Sequence, residues 1–150
     1  MKFPEYRGYI FELEDITEKN KNEMLKLSKE NNFYNGFIDK YFKIVNTNPS
    51  YQLFTVRKNS NLYGFAFFQY CKEGSHLIFL LIDKNHRNET LGKTLISFLK
   101  IITVSNNFIK KEIICETQTL DALRFFNKQD FKLYATEKPF LKLKWKLNLE

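Results

Sequence analysis

Apolar and polar residues alternate through residues 8–14 (GYIFELE), and a period of two over that length predicts a strand with one buried face. Thr17 then offers an N-cap for a helix running to about Glu30, with Glu18 favourable in its first turn. Residues 31–36 read as a loop, and 37–45 as a second helix that ends before Asn48-Pro49. Strands follow over 51–57 and 62–72, and Glu73-Gly74 turns the chain into another, 76–83. From Thr90 the period changes. Leu91, Leu95, Phe98 and Ile102 fall on one face, which predicts a core-facing helix ended by Asn106-Asn107. A strand over 112–116, a helix over 119–128 and closing strands over 131–133 and 140–147 complete the chain. The order β-α-α-β-β-β-α-β-α-β-β predicts a mixed α/β fold with helices flanking a central sheet.

Composition narrows the class. A chain of 150 residues without linker, repeat or low-complexity tract predicts a single domain, 1–150, and 43% hydrophobic with 17% aromatic residues excludes disorder. No apolar run approaches the roughly 20 residues that span a bilayer, and the N-terminus lacks the apolar core of a signal peptide. Cys71 and Cys115 lie in apolar strand-like runs without metal or CxxC spacing, so both read as reduced core residues. A cytoplasmic protein without a metal is the expectation. The net charge of +7 invites an anionic partner, but lysines are spread along the chain. The densest set, Lys138, Lys142, Lys144 and Lys146, alternates with Phe140, Leu141, Leu143 and Trp145 as a solvated sheet face would.

The chemistry concentrates in residues 80–95, LLIDKNHRNETLGKTL, where a strand stops and a helix begins at a glycine. N–H groups at a helix start have no intrahelical partner, and the helix dipole adds partial positive charge, so this is an anion site. Gly92 lets a phosphate approach the backbone, and Arg87 and Lys93 add charge at either edge. A pyrophosphate is the ligand that such a loop fits.

The run Arg87-Asn88-Glu89-Thr90-Leu91-Gly92 resembles the acyl-CoA pyrophosphate loop of the GCN5-related N-acetyltransferases (GNAT), Gln/Arg-x-x-Gly-x-Gly/Ala. Thr90 stands where that family has its first glycine. The predicted element order is similar to the family's over essentially the whole chain. Residues 119–131, TLDALRFFNKQDF, resemble its Asn-x-x-Ala-x-x-x-Tyr-x-x-x-Gly-Phe segment, with Thr119, Phe126 and Asp130 replacing Asn, Tyr and Gly.

The resemblance implies an acetyl-CoA-dependent N-acetyltransferase. It implies phosphate contacts from the amides of Leu91, Gly92, Lys93 and Thr94, with Arg87, Asn88 and Thr90 in the same loop and Phe126 in the cofactor cleft. Backbone groups of Leu80 and Ile82 would bond the pantetheine arm, and Leu80 N–H would be the oxyanion donor, an interaction worth roughly 3 kcal/mol. Some relatives carry a glutamate base eleven residues before the Arg/Gln of the loop, a position held here by His76. Histidine, with an unperturbed pKa near ~6.5, is a competent base at neutral pH, and strand parity predicts it on the face of Ile78, Leu80 and Ile82. Others place a base where this chain has Ile114; Glu116, two residues on, shares its parity and is the second candidate. Asp83 reads as a turn residue and His86 as packing. Phe126 has no hydroxyl for the family's general acid, and Tyr134 is a possible substitute.

The acceptor site is expected between residues 31–36, Asn-Asn-Phe-Tyr-Asn-Gly, and the last hairpin around Tyr134–Pro139. Its partners would be acetyl-CoA and an amine of a small molecule or peptide, with neither membrane nor nucleic acid, in a monomer or a homodimer. Two other readings stand beside this one: a GNAT-fold domain that binds acyl-CoA as a sensor with little catalysis, and a basic nucleic-acid module, which rests on charge alone.

Overall fold

The computed structural model describes residues 2–32, 39–40, 43 and 48–148. Its strands are β1 (Ile10–Glu14), β2 (Tyr51–Lys58), β3 (Asn61–Cys71), β4 (Gly74–Ile82), β5 (Glu112–Thr117), β6 (Lys132–Glu137) and β7 (Phe140–Lys146). Its helices are α1 (Glu18–Glu30), α2 (Leu91–Ser105) and α3 (Leu120–Lys128), and a 3-10 turn covers Lys84–Glu89. Of the second predicted helix only Asp39, Lys40 and Lys43 are described, in helical conformation; the rest lies outside the described residues.

The seven strands form one sheet in the order β1-β2-β3-β4-β5-β7-β6, antiparallel except between β4 and β5. Two apolar layers sandwich it. On one face Leu91, Leu95, Ile96, Leu99 and Ile102 of α2, with Phe126 of α3, pack on Phe54, Phe68, Leu77 and Ile113. Each of these fully buried α2 side chains contributes about 1.5–3 kcal/mol by leaving water. On the other face Met24 and Leu27 of α1 pack on Leu53, Phe65 and Leu81. Helix α1 is capped as expected: Thr17 Oγ1 accepts from Asn20 N, and the Asn20 side chain accepts from Thr17 N.

Element bounds shift from the sequence reading in several places, mostly by a residue or two, and those of β1 and β6 have a physical reason. β1 starts at Ile10 because Arg7 and Gly8, both at positive φ (52° and 82°), turn the chain so that Tyr6 and Tyr9 pair with each other. That folds the N-terminal arm back over α2, where Phe3 stacks on Phe98 at 4.4 Å. β6 runs to Glu137, and Phe131 before it is a core side chain at 2% exposure.

The basic strand β7 behaves as a solvated face. Lys142 pairs with Glu116 and Glu137, and Lys144 and Lys146 both lie 3.7 Å from Glu112. Cross-strand carboxylates thus pair with these lysines. Both cysteines are unpaired; Cys115 is buried, and burial first, then the Glu116 charge, pushes its thiol up to about 12. Among the described residues no helix is long and apolar enough to cross a membrane, and no cluster of three His, Cys, Asp or Glu could hold a metal ion.

Candidate functional site

Strands β4 and β5 are in register over only three pairs, Ser75–Leu77 with Ile113–Cys115. Beyond them β4 continues to Ile82 against β3 alone, and β5 continues to Thr117 against β7 alone. The sheet therefore opens into a V along Ile78–Ile82. Asp83 N–H donates to Tyr63 O at 2.8 Å, so that residue's amide is aimed at β3. Alternation along an antiparallel ladder then gives Leu81 the same direction and turns the N–H and C=O of Leu80 and Ile82 toward the V. Arg87 Nε donating to Ile82 O at 3.1 Å agrees with that direction.

A β-bulge at Ile78 overturns the expected parity of β4. The register with β3 jumps from Phe68–Leu77 to Phe67–Phe79, leaving Ile78 as the extra residue. Ser75, whose hydroxyl meets Thr103 of α2 at 2.7 Å, and Leu77 face α2 before the bulge; Leu80 and Ile82 face it afterwards. His76 consequently lies on the opposite face of the sheet from Leu80 and Ile82, the side covered by α1.

On that face His76 meets β5 and β7. Ile113 and Cys115 are buried toward α2, which turns Ile114 and Glu116 to the side of His76, and Glu116 is in register with Lys142. His76 is held below the usual histidine value, chiefly by burial; the Glu116 carboxylate pulls it up and Lys142 pushes it down. It is therefore a neutral imidazole at pH 7. Glu116 lies 3.8 Å from Lys142, and Lys144 Nζ stands 4.7 Å from the ring of Tyr134, itself half exposed on a bulge of β6. One sheet face thus gathers the base candidates with the one phenol proposed as acid.

The mouth of the V is closed by the turn into α2. Asp83, 9% exposed, organises it: its carboxylate accepts from Asn31 Nδ2 at 3.1 Å and meets His86 Nδ1 at 2.8 Å, while Lys84 N donates to Asn31 Oδ1. His86 packs on Tyr63 with ring centroids 4.2 Å apart, the packing role expected of it. The end of α1 is thereby tied to the end of β4.

Thr90 caps α2 in the left-handed region (φ 59°, ψ 24°), and its side chain makes no capping bond to the helix. A β-branched residue there costs on the order of 1–2 kcal/mol, which explains why a glycine suits the position. The Thr90 hydroxyl bonds that of Tyr6 from the N-terminal turn. Thr94 N–H and Thr94 Oγ1 both donate to Thr90 O, at 3.0 and 2.9 Å. The expected phosphate contact from the Thr94 amide is thus corrected: that N–H closes the first helical bond, leaving Leu91, Gly92 and Lys93 as the amides of the unsatisfied turn. Lys93 and Arg87 are exposed beside them, and Leu91's side chain is fully buried. The Asn88 side chain lies outside the described residues.

Gly92 has a packing reason of its own. A Cβ there would lie 3.2 Å from two ring atoms of Phe125 and 3.7 Å from Ile82 Cγ1. Phe125, which the sequence reading passed over, is therefore the α3 aromatic that abuts the loop. Its neighbour Phe126, expected in the cofactor cleft, is 7% exposed and packs on Phe131 at 5.1 Å. The doublet Phe125-Phe126 was the available signal, since a helix sends adjacent residues about 100° apart and only one ring can fill the core. Tyr6 carried no signal at all. Of the expected acceptor walls, residues 33–36 lie outside the described residues.

A family model described as acetyltransferase (GNAT) domain matches residues 12–143 of this chain. No curated protein sequence matches it significantly. Among solved structures, a protein assigned to the GNAT family from Desulfovibrio desulfuricans is similar over 92% of this chain and 98% of its own, with TM-score 0.79 and 13% identity. The PaiA N-acetyltransferase of Thermoplasma acidophilum, in complex with coenzyme A, is similar over 91% and 99% (TM-score 0.71, 14% identity). Arabidopsis thaliana Naa50, bound to the bisubstrate analogue CoA-Ac-MVNAL, is similar over 91% and 99% (TM-score 0.67, 17% identity). At these identities the likeness is one of fold.

Proposed function

The chain belongs to the GNAT acetyltransferase family, and from that premise we propose that it is an N-acetyltransferase moving the acetyl group of acetyl-CoA to an amine by direct attack. The observation that carries the reading is the V between β4 and β5 leading into the amide turn of α2. A thioester arm laid along β4 would bond Leu80 and Ile82 as an added strand, and its pyrophosphate would meet the amides of Leu91, Gly92 and Lys93 with Arg87 and Lys93 at the rim. Leu80 N–H, turned into the V, would receive the oxyanion.

The acceptor would enter from the α1 face, where His76, Glu116 and Tyr134 of the β6–β7 hairpin lie. His76 would take the ammonium proton, directly or through water, with the Glu116 charge supporting the imidazolium so formed. The amine lone pair then forms the C–N bond, the nitrogen gives up its second proton to water, the C–S bond breaks, and the thiolate leaves, its proton supplied by His76 or by Tyr134. The site as proposed calls for no metal. Phe126 favours the second reading, a domain that binds acyl-CoA with little catalysis, because it is buried and has no hydroxyl.

Calorimetry with acetyl-CoA tests both readings, and absence of saturable binding refutes both. Thiol release on a panel of peptide N-termini and small amines separates them: binding without release on any acceptor favours the sensor. Arg87→Ala is expected to raise the KM for acetyl-CoA about tenfold, the cost of one charge-assisted hydrogen bond, while moving the amine KM little. Equal effects on both would remove Arg87 from the phosphate site.

A further inference from the structure

The acyl-CoA loop of this chain departs from its family at Thr90, and the structure shows what stands in for the missing glycine. Thr90 occupies the left-handed corner that starts α2 and makes no capping bond to the helix. The hydroxyl that meets its own comes from Tyr6, 84 residues away. Tyr6 is placed by the turn at Arg7-Gly8, closed by reciprocal backbone bonds between Tyr6 and Tyr9 at 3.0 and 2.8 Å. Stacking of Phe3 on Phe98 fixes the same arm to α2. Arg7 lies over the Tyr6 ring at 5.3 Å. The Tyr6 phenol is held below its ordinary value, first by the Thr90 bond, against some burial, then by the Arg7 charge, a bond to Thr94 and the Lys93 charge.

We propose that Tyr6 is a positioning residue for the pyrophosphate loop, clamping Thr90 in its left-handed conformation so that the Leu91, Gly92 and Lys93 amides converge outward on the anion. In a loop with glycine at this position the corner forms without strain. With threonine, the extended region competes, and the clamp offsets that preference from outside the loop. Arg7 and Lys93 flank the clamp and add cationic charge near the anion, so the N-terminal turn acts as a wall of the cofactor site. This proposal rests on the acetyl-CoA reading.

The test is a double-mutant cycle, Tyr6→Phe and Thr90→Gly, read by calorimetric affinity for CoA and for pantetheine, which lacks the diphosphate. Tyr6→Phe is expected to weaken CoA about five- to tenfold, the effect of one hydrogen bond, and to leave pantetheine unchanged. Thr90→Gly supplies the reference background, because glycine adopts the corner freely and needs no clamp, and the affinity of each Tyr6→Phe variant is compared with its own parent. In the Thr90→Gly background Tyr6→Phe should then have no effect, and this last result separates a clamp from a direct ligand contact. Equal losses from Tyr6→Phe in both backgrounds, equal losses for CoA and pantetheine, or no loss at all would each overturn the proposal. Wild-type protein that binds neither compound would instead refute the acetyl-CoA reading and the clamp with it.

Discussion

His76→Gln is expected to lower kcat/KM by about 10²–10⁴-fold, the usual contribution of a positioned general base, and to remove one limb of the pH–rate profile. The sign follows from burial. A proposed base held below the ordinary histidine value is neutral, and active, down to a pH below about 6.5, so its limb lies on the acid side of that value. The protonation limb of the acceptor amine lies higher, near about 8 for an α-amino group or about 10.4 for a lysine, and must survive the substitution. Glu116→Gln removes the carboxylate that pulls His76 up, so it should move the acidic limb to lower pH without abolishing it. A wild-type rate and profile in His76→Gln would transfer the role of base elsewhere on this face.

The same group has a stability signature that does not depend on finding the acceptor. Its folded pKa is depressed, so the unfolded chain binds the proton more tightly. The associated stability is fully present above about pH 6.5 and is lost as pH falls through the folded value. His76→Gln should therefore flatten the decline of Tm on the acid side of pH 6.5, measured by thermal denaturation in parallel with wild type. Loss of activity with an unchanged pH-dependence of Tm would mean that His76 is not buried as a neutral imidazole.

How much of this site the sequence could disclose depended on distance along the chain. Apolar alternation and the switch at Thr90 located the strands and α2, because both signals are local and repeated. The turn that opens α2 was legible for the same reason, down to Gly92. Its inner detail was a matter of counting: with Thr90 as N-cap, the Thr94 amide must close the first helical bond. The bulge at Ile78 was not legible. HLIFLLI reads as an unbroken apolar run whichever residue is extra, and the slip is set by the register with β3. That one residue moved His76 to the other face, which brought it to Glu116. The Tyr6–Thr90 contact depends on a turn whose partner is 84 positions away, beyond any periodic signal.

The largest stability effect should come from Gly74→Ala, at the root of the V. Gly74 has φ +123°, a conformation that residues with a Cβ rarely adopt, and an added Cβ would stand 2.1 Å from Glu112 O and 2.9 Å from its carbonyl carbon. Those are backbone atoms at the start of β5, so no side chain can swing away to relieve the contact. β4 and β5 hold together through only the next three register pairs, and the strand start must move as a whole. Backbone strain of about 1–3 kcal/mol plus the displaced strand puts the loss at roughly 3–5 kcal/mol, or a Tm lower by about 10–15 °C in a chain of this size. Gly92→Ala sets the contrast. Its closest contacts are side-chain atoms of the Phe125 ring at 3.2 Å, which a shift of a few tenths of an ångström relieves, so its Tm should fall far less. Its cost should fall on CoA affinity, where a methyl stands at the amide turn. If Gly74→Ala melts with wild type, β4 and β5 do not meet as closely as described, and the V needs another origin. If Gly92→Ala loses more stability than affinity, its glycine serves Phe125 rather than the phosphate.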